Sequence, residues 1–168
     1  MRIALIGFMG AGKTSVAKIL GERLQLRVLE LDDLIVARAG GRDVPEVFAA
    51  LGEDGFRALE SEVVAAAAAE DQVVISCGGG VVKNSMNVAL LKASGAVVVF
   101  LEAALESIFG RVSFEDRTRP LFSDPVRVAE LYRERLPLYL KVSDYVVSTD
   151  GLTPEAVADL IIQDVRSR

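Results

Sequence analysis

Residues 7–14 read Gly7-Phe8-Met9-Gly10-Ala11-Gly12-Lys13-Thr14, the G-x-x-x-x-G-K-[ST] spacing of a phosphate loop. Glycines there let backbone N–H groups converge on a phosphate, and a helix that follows adds its positive N-terminal end. Backbone from Gly10, Ala11 and Gly12 through Ser15 would surround the β-phosphate. Lys13 would reach the β- and γ-phosphates, and Thr14 would lend a hydroxyl to Mg2+. The pattern predicts binding of a nucleoside triphosphate with magnesium. A glycine-rich turn without function is the alternative. The strand-like run Arg2–Ile6 before the loop and the helical spacing from Thr14 to Leu24 after it argue against that alternative.

Other chemistry-bearing residues are scattered along the chain. Glu30, Asp32 and Asp33 follow a second strand-like run. Acids in that position can hold magnesium through water or orient an acceptor hydroxyl, or they can simply cap a helix. Gly78-Gly79-Gly80 directly follows another strand and either admits a ligand close to the backbone or forms a tight turn. Arg57 and Arg135 sit among apolar neighbours, which suits a fork-like grip on a carboxylate; taken singly, such arginines are ordinary surface residues. Arg119 stands in a charged, punctuated stretch and could close over phosphates to neutralise developing charge. Arg111, at the base of that stretch, could lie on a nucleotide base or be an exposed helix-end cation. Glu60 could pair with Arg57, and Phe48 and Phe56 could line a pocket or pack a cap. Cys77 reads as a packed thiol, because a nucleophile would need a partner base and the chain has no histidine.

The elements that must carry these groups alternate. Strand-like runs are Arg2–Ile6, Arg27–Leu31, Val73–Ser76, Ala96–Leu101 and Tyr145–Ser148. Helical patterns are Lys13–Leu24, Asp33–Ala39, Pro45–Leu51, Gly55–Ala69, Asn84–Ala93, Ala104–Gly110, Pro125–Leu140 and Pro154–Asp164. The strands are continuous Val/Ile/Leu runs, as in a parallel sheet covered on both faces. They predict a doubly wound α/β domain with its ligands at the C-terminal ends of the strands. Residues 33–60 carry helices without a strand and are expected to form a cap for substrate, and residues 112–124 a mobile lid.

With 168 residues, 51% of them hydrophobic, one domain with a full core is expected. A formal charge of −5 and the lack of a Lys/Arg run argue against nucleic-acid binding. The lone cysteine excludes an internal disulfide, and the absence of histidine excludes histidine-based metal sites and triads. No apolar stretch approaches the roughly 20 residues of a membrane helix, and a strand directly after Met1 leaves no signal peptide. A cytoplasmic, monomeric enzyme is the expectation.

Five blocks together resemble the shikimate kinase family, relatives of the nucleoside monophosphate kinases. They are Gly7–Thr14; Glu30-Leu31-Asp32; Val47-Phe48 through Gly52-Glu53 to Phe56-Arg57 and Glu60; Gly78-Gly79-Gly80; and Arg119-Pro120-Leu121 with Arg135, Pro137, Leu138 and Tyr139. The blocks span nearly the whole chain; the phosphate loop is shared by many kinases, whereas the Phe-Arg block, the triple glycine and the Arg-Pro-Leu plus Arg-x-Pro-Leu-Tyr pair are much more specific. The resemblance implies a P-loop three-layer fold with sheet order 2-3-1-4-5. It also implies transfer of the ATP γ-phosphate to the 3-hydroxyl of shikimate, in chorismate synthesis. By the same resemblance Glu30 is associated with Mg2+, and Asp32 contacts the shikimate hydroxyls. Arg57 and Arg135 hold the carboxylate, with Gly78, Gly79 and Gly80 against the ring. Arg119 reaches the phosphates and Arg111 lies on the adenine.

Three features depart from the family pattern. The first acid is glutamate where the family usually has aspartate. Counting from Lys13 places the second acid at Asp32, whereas counting back from Arg57 places it at Asp33; an inserted residue near Gly40-Gly41 reconciles the two and favours Asp32. The arginine often found after the last strand is missing around Asp150-Gly151. A kinase for another hydroxy acid such as gluconate, or a nucleotide-dependent switch protein, is the alternative. The switch reading lacks an Asn-Lys-x-Asp guanine motif and leaves Asp32, Arg57 and Arg135 unexplained.

Overall fold

The computed structural model describes residues 1–112 and 124–167. Strands β1 (Arg2–Ile6), β2 (Arg27–Glu30), β3 (Val73–Ser76), β4 (Val97–Glu102) and β5 (Tyr145–Ser148) form one parallel sheet of order β2-β3-β1-β4-β5. Among the described residues, seven helices flank it: α1 (Lys13–Leu24), α2 (Leu31–Arg38), α3 (Val44–Ala68), α4 (Ser85–Ala93), α5 (Leu105–Arg111), α6 (Pro125–Val142) and α7 (Pro154–Arg166). A 3-10 turn spans Val81–Lys83. Helices α1 and α7 pack together, α4 and α6 lie on β4, and α3 packs on α2 and α4.

The central strands carry no polar alternation because both faces are covered. Ile3, Ala4, Leu5, Val73, Val74, Ile75, Val99 and Leu101 are all completely buried. In register, Ile3 stands between Val74 and Val97, so three adjacent strands deliver their ends at similar height.

The expected order 2-3-1-4-5 is observed, with small shifts at element ends. β2 stops at Glu30, because Leu31 opens α2; its side chain is fully buried there, and an apolar run cannot distinguish a strand's last residue from a buried helical one. Helix α2 therefore starts two residues earlier than the pattern suggested. β4 begins at Val97, since the Ala96 N–H closes the preceding turn on the Leu91 carbonyl at 3.2 Å. The two patterns over 45–69 form α3, which breaks at Gly52, where φ 69° and ψ 179° lie outside the helical region. Its start is fixed by a reciprocal cap. The Asp43 carboxylate accepts from the Glu46 N–H at 2.9 Å, and the Glu46 carboxylate accepts from the Asp43 N–H at 3.1 Å.

Candidate active site

At the C-terminal edge of the sheet lies a cavity of about 850 Å3, within the range of small-molecule sites. Three strand ends feed it. After β1, the phosphate loop turns through Gly10 and Gly12 at φ 77° and 91°, a left-handed backbone that glycine adopts without steric cost. Gly12 is the N-cap of α1 and carries no side-chain cap, so the first-turn N–H groups are available to an anion. Lys13 folds back over the loop, its Nζ donating to the Gly7 and Phe8 carbonyls at 2.8 and 2.9 Å.

After β2 come the acids. The Thr14 hydroxyl donates to the Glu30 carboxylate at 3.3 Å. The other Glu30 oxygen is buried without a hydrogen-bond partner. Burial pushes the Glu30 pKa up against hydrogen bonds from Ser76 and Thr14 that lower it, and the neighbouring charges of Asp33 and Asp32 add to the rise. One hydroxyl and one carboxylate form a hard-oxygen donor pair, and the unsatisfied carboxylate oxygen is suited to a cation or a cation-bound water. Among the described residues no group of three or more His, Cys, Asp or Glu could hold an ion, so a metal here would complete its shell from phosphate and water.

After β3 come the glycines, and here side chains replace the missing β-carbons. A β-carbon on Gly80 would stand 2.5 Å from both terminal nitrogens of Arg57. One on Gly78 would meet an Asp32 carboxylate oxygen at 3.2 Å and a Glu60 oxygen at 3.4 Å. One on Gly79 would meet a terminal nitrogen of Arg135 at 3.4 Å. The triplet is thus the floor on which an acid and two guanidinium groups converge.

Arg57 is fixed by Glu60, one turn along α3, in a 2.8 Å ion pair whose carboxylate is almost wholly buried. Burial pushes Glu60 up while Arg57 pulls it down; the result is a guanidinium held on one side by Glu60 and lining the cavity. The Arg57 Nε and the Arg135 Nε are both buried without partners. Arg135 projects from α6, 3% exposed, with its guanidinium carbon 5.9 Å from the centre of the Phe8 ring. Phe48 and Phe56 both line the cavity and pack on each other at 5.1 Å. Cys77 lies beneath the site: burial pushes its thiol up to about 12, with Lys13, Glu60, Asp32 and Glu30 all near enough to act on it. It is the packed thiol that the sequence suggested.

Gly10, Gly12, Lys13, Thr14, Ser15, Glu30, Asp32, Arg57, Gly78, Gly79, Gly80, Arg111 and Arg135 all line this one cavity. Ala11 does not; its side chain is buried in the core. Arg111 anchors the far end, donating to the Gly10 carbonyl at 3.3 Å, the Thr149 hydroxyl at 3.1 Å and the Thr149 carbonyl at 3.2 Å. Arg119 lies outside the described residues. Asp33 lines the cavity beside Asp32.

The structure adds residues that the sequence reading did not single out: Val36, Asp43, Val44, Pro45 and Ser76 also line the cavity. Asp43 had a readable signal in Asp43-Val44-Pro45-Glu46, an acid three residues before glutamate with proline between. Val36 and Ser76 had none, since an apolar helix residue and a strand serine acquire this role only through packing.

Comparison with known proteins identifies the family. The model of the family described as Shikimate kinase matches residues 9–166. A shikimate kinase of Thermodesulfovibrio yellowstonii is 39% identical over 165 residues, covering 96% of this chain and 93% of the relative. One from Thermobifida fusca is 41% identical over 162 residues, covering 96% and 92%. The solved structure of shikimate kinase from Acinetobacter baumannii in complex with shikimate superposes with a TM-score of 0.92 at 32% identity, covering 99% of this chain and 93% of that one. The chain belongs to the shikimate kinase family.

Proposed function

We propose that this chain transfers the γ-phosphate of ATP to the 3-hydroxyl of shikimate, and that the residues lining the described cavity do so in the following roles. The observation that carries the reading is the convergence of the phosphate loop, Asp32, Arg57 and Arg135 on one cavity, in a chain of this family.

ATP enters with its phosphates on the Gly7–Thr14 loop. Lys13 leaves the loop carbonyls that it now caps and pairs with the β- and γ-phosphates. Thr14, and Glu30 through water, would hold Mg2+; the ion, when bound, screens phosphate charge and supports the departing ADP. Arg111 covers the adenine. Shikimate docks with its carboxylate between Arg57 and Arg135 and its ring on the Gly78–Gly80 floor.

Asp32 orients the 3-hydroxyl in line with the γ-phosphorus. As that oxygen bonds to phosphorus, the bond from phosphorus to the β-bridging oxygen breaks, ADP takes the electron pair and Asp32 takes the hydroxyl proton. Residues 33–60 act as the substrate-binding cap and 112–124 as a lid that brings in Arg119 and excludes water, which would otherwise hydrolyse ATP. The enzyme works as a cytoplasmic monomer. Among the described residues, no helix is long and apolar enough to cross a membrane.

A coupled ADP-release assay over shikimate, quinate and gluconate tests the substrate. Turnover confined to shikimate is expected. Faster turnover of gluconate would reassign the acceptor, and triphosphate binding without turnover of any acceptor would leave a switch protein.

A further inference from the structure

Helix α6 turns one face toward the site. Tyr132, Arg135 and Tyr139 are three and four residues apart and therefore share that face. Tyr132 donates its hydroxyl to the Ala103 carbonyl at 2.9 Å and meets Phe8 edge-on. Arg135 reaches the cavity. Tyr139 does not line it; it is 1% exposed, with its ring stacked on Phe100 of β4 at 5.0 Å.

Apolar packing of that ring would be equally served by phenylalanine. The hydroxyl adds a cost of burial that only a partner offsets, and its acceptor lies outside the helices, on the glycine run after β3. It donates to the carbonyl of Gly79 at 2.5 Å. The Arg135 guanidinium, one turn earlier on α6, interacts with the same phenolic oxygen and has a terminal nitrogen 3.4 Å from where a β-carbon on Gly79 would stand. Gly79 and Arg135 are thus cavity-lining groups that share one phenol behind them.

We propose that Tyr139 is a positioning residue for the substrate carboxylate: its hydroxyl fixes the Gly79 peptide and the Arg135 guanidinium in one mutual arrangement, so that the anion meets a preformed grip. The proposal rests on the function proposed above. Its physical content is preorganisation. A long arginine side chain held before binding loses less rotamer freedom when the anion arrives. A glycine peptide, with no side chain to pack, needs an outside hydrogen bond to set its plane.

The test is Tyr139→Phe, which keeps the ring on Phe100 and removes one oxygen. Steady-state constants are measured for shikimate and ATP, and dissociation constants for shikimate and its methyl ester, in which the anionic charge is gone. We expect the shikimate KM to rise about 5- to 20-fold, with the ATP KM and kcat within about threefold, as follows from leaving one buried carbonyl unsatisfied beside the grip. The methyl ester, already a weak ligand, should lose less than about twofold, because its affinity does not depend on the ordered guanidinium. A shikimate KM within twofold of native overturns the proposal, and so does equal weakening of acid and ester, or of shikimate and ATP, which is what mere loosening of the fold would produce.

If the phenylalanine variant does not fold, 4-aminophenylalanine at position 139 supplies a weaker donor on the same ring. A selective two- to fivefold rise in shikimate KM, on the order expected for a weakened hydrogen bond, is then predicted, and an unselective rise overturns the proposal. Native turnover in the same assay keeps the two readings apart. Its absence refutes the proposed reaction, whereas Tyr139 is judged only by the ratio of variant to native.

Discussion

Gly80→Ala is a small change with a calculable consequence. Gly80 has φ −92° and ψ −1°, a negative-φ backbone that is allowed to alanine, so the main effect must come from contact. The new methyl carbon would stand 2.5 Å from both terminal nitrogens of Arg57 and 2.7 Å from its central carbon. Ordinary contact begins near 3.4 Å, so the guanidinium must retreat by about 1 Å. That shift takes it out of its 2.8 Å pairing with Glu60 and away from the substrate carboxylate.

Displacing a charge-assisted hydrogen bond by that much costs about 1.5–3 kcal/mol. We therefore expect the shikimate KM to rise roughly 10- to 150-fold, with the ATP KM within about twofold, since the phosphate loop is untouched. Gly110→Ala serves as the control: a β-carbon there meets nothing within 4 Å, and both constants should stay at native values. Steady-state assays with each substrate varied in turn read the split. A folded Gly80→Ala enzyme with a shikimate KM within threefold of native would refute the reasoning, as would an equal rise for ATP.

Three further outcomes follow from the same geometry. Asp32→Ala should lower kcat by about 100-fold or more, while Asp33→Ala stays within a few-fold; the reverse pattern in parallel kinetics would transfer the acceptor-orienting role to Asp33. Glu30→Gln should lower activity at limiting Mg2+ yet raise the melting temperature at neutral pH. The raised carboxyl pKa means that the folded state holds this proton more tightly than the unfolded one, so stability falls as pH rises from 4.5 through the folded value. Glutamine escapes that loss, and the gap to native should close as pH drops below 4.5; melting curves across pH check it. Gly21→Ala, inside α1, would press a methyl 2.5 Å from Val28 and 3.0 Å from the Leu26 carbonyl. It should cost about 1–2 kcal/mol net of helix propensity and leave kcat of the folded fraction unchanged, as denaturant titration and kinetics would show.

The fold was legible wherever the physics is local and repeated. Continuous Val/Ile/Leu runs marked the buried strands, and the glycine, lysine and threonine spacing of residues 7–14 placed the phosphate loop on the strand-to-helix turn where it is found. The strand order was not a matter of periodicity; it came with the family resemblance and matches the observed sheet. Ends were less legible, since burial of Leu31 looks the same in a strand as in a helix.

At the site, Arg57 and Arg135 could be nominated by residue type but not brought together by spacing, because they sit on α3 and α6, 78 positions apart. What joins them is the glycine floor after β3, whose missing side chains leave room for both guanidinium groups. Tyr139 was visible only as part of a motif; its link to Gly79 depends on how α6 lies over β4.

Phosphoryl transfer requires that a single cleft hold both reactants at once, in line for transfer. A crystal structure with shikimate and a non-hydrolysable ATP analogue tests it most directly. The carboxylate should lie between Arg57 and Arg135, and the 3-hydroxyl oxygen within about 3.5 Å of the γ-phosphorus. Shikimate bound away from those arginines, or with its 3-hydroxyl turned from the phosphate, would contradict it.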